Sequence, residues 1–281
     1  MDIGAKVLPH FIKDTTDRNR TSPFAFTGNK FEFRMLGSAA SVANPNIVLN
    51  TAVAEALDQF AKELDGVAPE DMEHAVHELI KRAIKKHKRV IFNGNGYTDE
   101  WIEEAEKRGL YNLKSTPDAL PMWIAQKNID LFTKHSIFTS EELHSRYEIW
   151  LENYSKTINI EALTMVDMAK KQYIPAVMEY TKTLADTVLA VKSAGADATV
   201  QTTALKSISE KLAEAQAAET SLEDKLAEAA GIEDPKKLAF FYKDVVHTAM
   251  DDLRAPVDAL EMMVDKKVWP VPTYGDLIFE V

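Results

Sequence analysis

Thr139 to Ala169 reads TSEELHSRYEIWLENYSKTINIEALTMVDMA, and its spacing decides the fold. Thr139 and Glu142 form a capping box, after which Leu143, Tyr147, Trp150, Tyr154, Ile158, Ala162, Met165 and Ala169 recur every three or four residues. That periodicity predicts a long amphipathic helix. The stripe continues through Tyr173, Val177, Tyr180, Leu184, Val188 and Val191, so roughly fifty residues would make a rod of about 75 Å. Pro175 must kink or split it, because its ring removes a helical hydrogen bond. Gly195 marks a reversal. Leu205, Ile208, Leu212, Ala215, Leu222, Leu226 and Ala229 then fit an a/d heptad that only Glu219 breaks. A third helical segment from Asp234 to about Val268 carries Pro256, a second expected kink. The expected fold is mainly α, a long antiparallel helical hairpin or bundle with a few short β-strands. The division falls between 1–135 and a helical bundle with its tail over 136–281.

Upstream, Asn44-Pro45 opens a helix to about Leu64, with Val48, Leu49, Val53, Leu57 and Phe60 at helical spacing and Gly66 ending it. Ala68-Pro69 starts another, which closes on a cationic run from Lys81 to Arg89. Cations there complement the helix dipole, a plainer reading than nucleic-acid binding for a chain of net charge −11. Val90-Ile91-Phe92 reads as a short buried strand leading into Asn93-Gly94-Asn95-Gly96-Tyr97, with Thr98 or Asp99 capping the next helix. The glycines match no phosphate-loop pattern, so a plain turn is expected. His74 and His77 lie three apart, but without a third ligand they read as surface histidines.

Composition narrows the class. With 46% hydrophobic and 27% charged residues the chain can bury a core, and the absence of cysteine removes disulfides and thiolate metal sites. No signal peptide opens the sequence and no apolar run reaches the ~18 residues that span a bilayer, so neither a membrane nor nucleic acid is an expected partner.

The residues that bear chemistry lie near the start, in DTTDRNRTSPFAFTGNKFEFR over Asp14–Arg34. Alternation places Phe31, Phe33 and Met35 on one face of a strand and Lys30, Glu32 and Arg34 on the other, with same-face neighbours about 7 Å apart. Pro23 and Gly28 argue for a loop over Thr21–Asn29, and a hairpin-like return would bring Arg20 toward Arg34. Arginine forks suit phosphate or carboxylate, whereas a solvated outer strand explains the same alternation without a ligand.

Asp17-Arg18-Asn19-Arg20-Thr21, Lys30-Phe31-Glu32-Phe33-Arg34, Gly37-Ser38-Ala39-Ala40 and Asn44-Pro45-Asn46 together resemble the end of a glutamine synthetase catalytic domain. Asn93-Gly94-Asn95-Gly96-Tyr97, Asn159-Ile160-Glu161-Ala162-Leu163-Thr164-Met165 and Trp269-Pro270-Val271-Pro272-Thr273-Tyr274-Gly275-Asp276-Leu277 resemble the long type III form specifically. The resemblance implies that Glu32 ligates a divalent cation (Mg2+ or Mn2+) at the ATP phosphates and that Arg34 holds a carboxylate of substrate glutamate. It implies that Arg20 contacts the transferring phosphoryl group and that Lys30 stands in for an ATP-contacting arginine. Lys30 keeps the charge but loses the fork. Where other relatives carry a further arginine, this chain has Ala25.

The implied reaction joins ammonia to glutamate through an acyl phosphate, consuming ATP, in a cytoplasmic homo-oligomer, dodecameric in the intact type. Residues 1–135 would then be the end of the catalytic domain with a type III insert. The resemblance also implies a C-terminal portion of a longer protein, inactive alone because the other metal carboxylates lie upstream. The alternative is a non-catalytic helical oligomerisation module from a truncated relative.

Overall fold

The computed structural model describes the backbone of residues 24–26 and 31–33, and residues 37, 40–91, 96 and 98–279. The chain divides into two compact units, Met1–Lys114 with Gln126–Thr139, and Ser115–Ala125 with Ser140–Val281. Among the described residues no helix is long and apolar enough to cross a membrane.

In the first unit, strands β1 (Phe24–Phe26) and β2 (Phe31–Phe33) pair antiparallel. The loop expected over Thr21–Asn29 therefore contains a strand: Phe-Ala-Phe has the two-residue alternation of Phe-Glu-Phe and supplies its ladder partner. Helix α1 spans Ala43–Leu64 and ends in a tight turn, in which Asp65 is extended, Gly66 takes φ +79° and the Val67 amide donates to the Leu64 carbonyl. A glycine is favoured at that third turn position.

Three of the five apolar positions chosen on α1 do not lie on its inward face, while Leu49 and Phe60 are half-buried. Val48, Val53 and Leu57 are exposed, whereas Thr51 is buried and donates to the Ile47 carbonyl at 2.7 Å. The inward row is 47, 51, 55 and 58, a step of three or four that carries more polar than apolar side chains.

Helix α2 (Met72–His87) begins later than Ala68-Pro69, because these residues form a turn closed by the Asp71 amide on the Ala68 carbonyl. It runs into a 3-10 turn, Lys88–Val90. The buried strand expected at Val90-Ile91 is absent: both residues are more than half exposed, and Phe92 lies outside the described residues. Arg108 explains the alternative, since its guanidinium donates to the carbonyls of Arg89 (3.3 Å) and Ile91 (2.9 Å), taking the place of strand partners. Helices α3 (Asp99–Lys107) and α5 (Gln126–Lys134) complete the unit, with Thr98 at the N-cap position of α3.

The second unit opens with a short helix, α4 (Thr116–Ala119), whose N-cap Ser115 accepts from the Asp118 amide. Its main body is three helical rods. The first is α6 (Ser140–Met168), a five-residue π-turn (Ala169–Tyr173) and α7 (Ile174–Ser193). Pro175 neither splits the rod nor leaves an ordinary helical turn before it. The wider turn absorbs the missing donor just upstream, and it carries the buried stripe across in a step of five, from Ala169 to Ile174.

At the end of α7, Gly195 takes φ +75°, the Ala196 amide donates to Val191 and the Gly195 amide to Lys192, a left-handed closure that reverses the chain. Rod two is α8 (Thr199–Ala229). Rod three is α9 (Pro235–Phe241), capped by Asp234, then a π-turn (Tyr242–Val246) and α10 (His247–Glu261), which continues through the buried Pro256. A last short helix, α11, spans Tyr274–Phe279.

The core between the rods is layered. Tyr147, Leu151 and Ala239 form one layer, with Trp123 packed on it. Ala162, Val166, Ala169, Ile174, Leu222, Val246 and Leu253 form the central one, and Val177, Ile208, Ala215, Leu260 and Trp269 the third. Each fully buried leucine contributes about 1.5–3 kcal/mol relative to exposure. Leu222 is 0% exposed in the central layer, so Leu222→Ala is expected to cost about 2–5 kcal/mol, read as a lower urea midpoint. Gly195→Val, which forces a branched residue into the left-handed region, is expected to cost at least about 1–2 kcal/mol by the same measurement.

Candidate functional site

The β1–β2 ribbon fixes part of the stretch expected to bear the chemistry. Its register pairs Phe24 with Phe33, Ala25 with Glu32 and Phe26 with Phe31. Alternation then puts the four phenylalanine positions on one face and Ala25 and Glu32 together on the other. Directly opposed positions have Cβ atoms about 4.5–5.5 Å apart. The position at which other relatives carry a further arginine, here Ala25, therefore lies opposite Glu32 in the register. Arg20, Lys30 and Arg34 lie outside the described residues.

A divalent cation of the magnesium kind needs about six oxygen ligands. Among the described residues no group of three or more His, Cys, Asp or Glu side chains is placed to hold a metal, and His74 and His77 are exposed on α2. Glu32 could supply one such ligand.

Among the described residues of the first unit a charged cluster joins the inward row of α1 to the end of α5. The Lys134 ammonium donates to Glu55 at 2.6 Å and to Asp58 at 2.8 Å, and His135 Nε2 lies 2.7 Å from the same Glu55 carboxylate. Gln59 and Lys62 add further hydrogen bonds to Glu55 and Asp58. Ser136 takes φ +54° just beyond α5, and the closing bonds from the Ile137 and Ser136 amides to Phe132 and Thr133 fix that helix end. Lys134, chiefly, holds both carboxyls down, Glu55 from 4.5 to about 2 and Asp58 from 3.8 to about 2, and the two carboxylates in turn raise Lys134. Beside the cluster lies an open groove of about 370 Å³ lined by Glu55, Lys127, Asn128, Asp130, Leu131 and Lys134. Sequence reasoning missed the cluster because its partners lie 76 to 80 residues apart.

A second groove, of about 270 Å³, lies in the second unit between the end of α6 with its π-turn and α10. Met165, Met168, Tyr173 and Val257 give it apolar walls. Arg254 bonds Asp258 (3.1 Å) and the Tyr274 hydroxyl (2.8 Å) at its edge, so its polar groups are already satisfied by one another.

Residues 75–192 match the family model described as the glutamine synthetase C-terminal domain. A glutamine synthetase of Butyrivibrio fibrisolvens is 43% identical over 278 residues, which is 96% of this chain and 39% of that protein. A type-3 glutamine synthetase of Dictyostelium discoideum is 39% identical over 286 residues, 99% of this chain and 39% of that protein. A glutamine synthetase of Bacteroides fragilis (strain YCH46) is 32% identical over 287 residues, again with 39% of its length covered. The chain thus spans about two fifths of the length of these curated relatives.

The charged cluster predicts a pH dependence. Depressed carboxyl values mean that the contribution of Glu55 and Asp58 to stability is present above their ordinary values, 4.5 and 3.8, and is lost as pH falls toward about 2. Lys134→Met removes the main cause, so both carboxyls are expected to titrate at higher pH by NMR, with Gln59 and His135 still lowering Glu55 and Lys62 still lowering Asp58. Unchanged titration in that variant would show that Lys134 is not what holds them down.

Proposed function

Since the chain is a relative of glutamine synthetases, the type III form among them, along nearly its whole length, we propose that it contributes one wall of an ATP-dependent glutamate–ammonia ligase site. The observation that carries the reading is identity of 32–43% over 96–99% of the chain with proteins bearing that name. In this reading residues 1–135 are the end of the catalytic domain with a type III insert, and residues 136–281 are its helical bundle and tail.

Arg34 holds a carboxylate of glutamate, Arg20 contacts the phosphoryl group in transfer, and Lys30 neutralises ATP phosphate as a point charge. Glu32 provides one oxygen ligand to a divalent cation, Mg2+ or Mn2+, which when bound offsets phosphate charge. The remaining ligands come from sequence beyond this chain. Transfer of this kind is governed by positioning and electrostatics, so each arginine acts by placing donors where negative charge accumulates. The product is glutamine, with ADP and phosphate released, and the setting is cytoplasmic.

A second reading draws on the family-model match, which covers 75–192 and so falls on helices downstream of the four proposed site residues. On that reading the chain is a helical assembly module in a homo-oligomer. A clean monomer by light scattering would remove the module reading.

In the longer protein that contains this sequence, Arg34→Ala is expected to lower kcat/KM for glutamate about 100-fold or more. Unaltered kinetics would exclude Arg34 from the substrate site. The 281-residue chain alone is expected to show no metal-dependent turnover in a coupled glutamine-forming assay, because one carboxylate cannot build the cation site. Turnover there would overturn the proposal that the site is completed from outside the chain.

A further inference from the structure

Glu219 is 1% exposed in the middle of the bundle. It occupies an a/d position of α8, between Ala215 and Leu222, where the helix otherwise presents leucine, isoleucine or alanine. One carboxylate oxygen accepts from Gln216 Nε2 at 2.8 Å. The other is buried without a hydrogen-bond partner and lies 3.4 Å from the ammonium of Lys170. Lys170 belongs to the first π-turn and also bonds Glu223 at 2.5 Å, so one lysine spans two carboxylates a helical turn apart on α8.

This arrangement is a poor way to add stability. Removing a carboxylate from water costs several kcal/mol, and an ion pair with one oxygen incompletely bonded returns only part of that. Apolar side chains of similar volume often do as well or better in such places. Selectivity is a different matter. The a/d row of α8 repeats every seven residues with small and medium apolar side chains, so a slide by one heptad would set apolar against apolar nearly everywhere. Such a slide would bring Glu219 to the level of residue 163 or, counting the extra residue of the π-turn, 178 of the first rod, and these are Leu163 and Met178. A buried carboxylate opposite an aliphatic side chain has no compensation.

We infer that the Lys170–Glu219 pair is a register lock: it fixes the lengthwise position of α8 against the first rod by making the neighbouring heptad registers unaffordable, and it does so from the π-turn. A single polar a-position residue that selects one register at a cost in stability is the analogous device in coiled coils.

The absence of native cysteine makes the test direct. Spin labels on cysteines introduced at the exposed positions Lys182 and Lys206 report the distance between α7 and α8 by pulsed electron paramagnetic resonance in the full chain. The parent should give one narrow distribution. Glu219→Met should keep or raise the urea midpoint while adding a second population, set by a slide of about 10 Å along the rod. Lys170→Met should lower the midpoint and also add a second population, because the native register no longer pairs the carboxylate. Combining the two substitutions should restore the midpoint but not the single distance. One unchanged narrow distribution in every variant that folds would overturn the inference. Loss of folding in both single variants would overturn it too, by making the pair a requirement of stability and not of register.

Discussion

The second unit depends on one constraint: an apolar stripe along more than fifty residues of continuous helical rod has to be covered by chain that follows it. A stripe of that length cannot be buried by a single partner, because α8 is about three fifths as long. The third rod supplies the remainder. Its α9 covers the first layer at Tyr147 and Leu151, and its α10 returns along α8 to close the central and third layers. Local chemistry serves the same end. Gly195 and Asp234 place the two reversals so that three rods of unequal length share one core. Lys243 in the second π-turn, bonded to Asp118 at 2.9 Å, ties α4 to the third rod.

Much of this was legible from residue spacing. The first rod, the glycine reversal, the heptad of α8 with its single break, and the third segment from Asp234 all follow from period and capping, which are local properties. What spacing could not supply was the choice of face where polar contacts do the packing. Of the apolar positions on α1, Val48, Val53 and Leu57 are exposed and Leu49 and Phe60 half-buried, while Thr51 is buried and Glu55 and Asp58 face inward, met by Lys134 and His135 from far along the chain. Val90 and Ile91 look like a strand by composition, yet no neighbouring strand is there among the described residues and Arg108 takes their carbonyls instead. In both places a long-range cation overrode a short-range apolar pattern.

The candidate site divides along a similar line. Pattern alone could offer only an alternating strand near two arginines, and the functional reading rests on resemblance to a family. The ribbon adds something independent of that resemblance, since it sets Ala25 opposite Glu32 by register. A departure in sequence and a proposed metal ligand are thereby brought to one face of one small element. Among the described residues of the helical bundle the one buried carboxylate, Glu219, is engaged with a lysine of the same bundle.

The π-turn at Ala169–Tyr173 also bears on how this segment can change in length. Its extra residue is what lets the buried stripe step by five and stay in phase on both sides of Pro175. Loss of one residue there would turn everything beyond it by about 100° relative to the core, and gain of one would turn it the opposite way. Insertions and deletions in the first rod are therefore permitted only in sets that restore the phase. Loops such as that around Gly195 have no such arithmetic and are the places where related chains can differ freely in length.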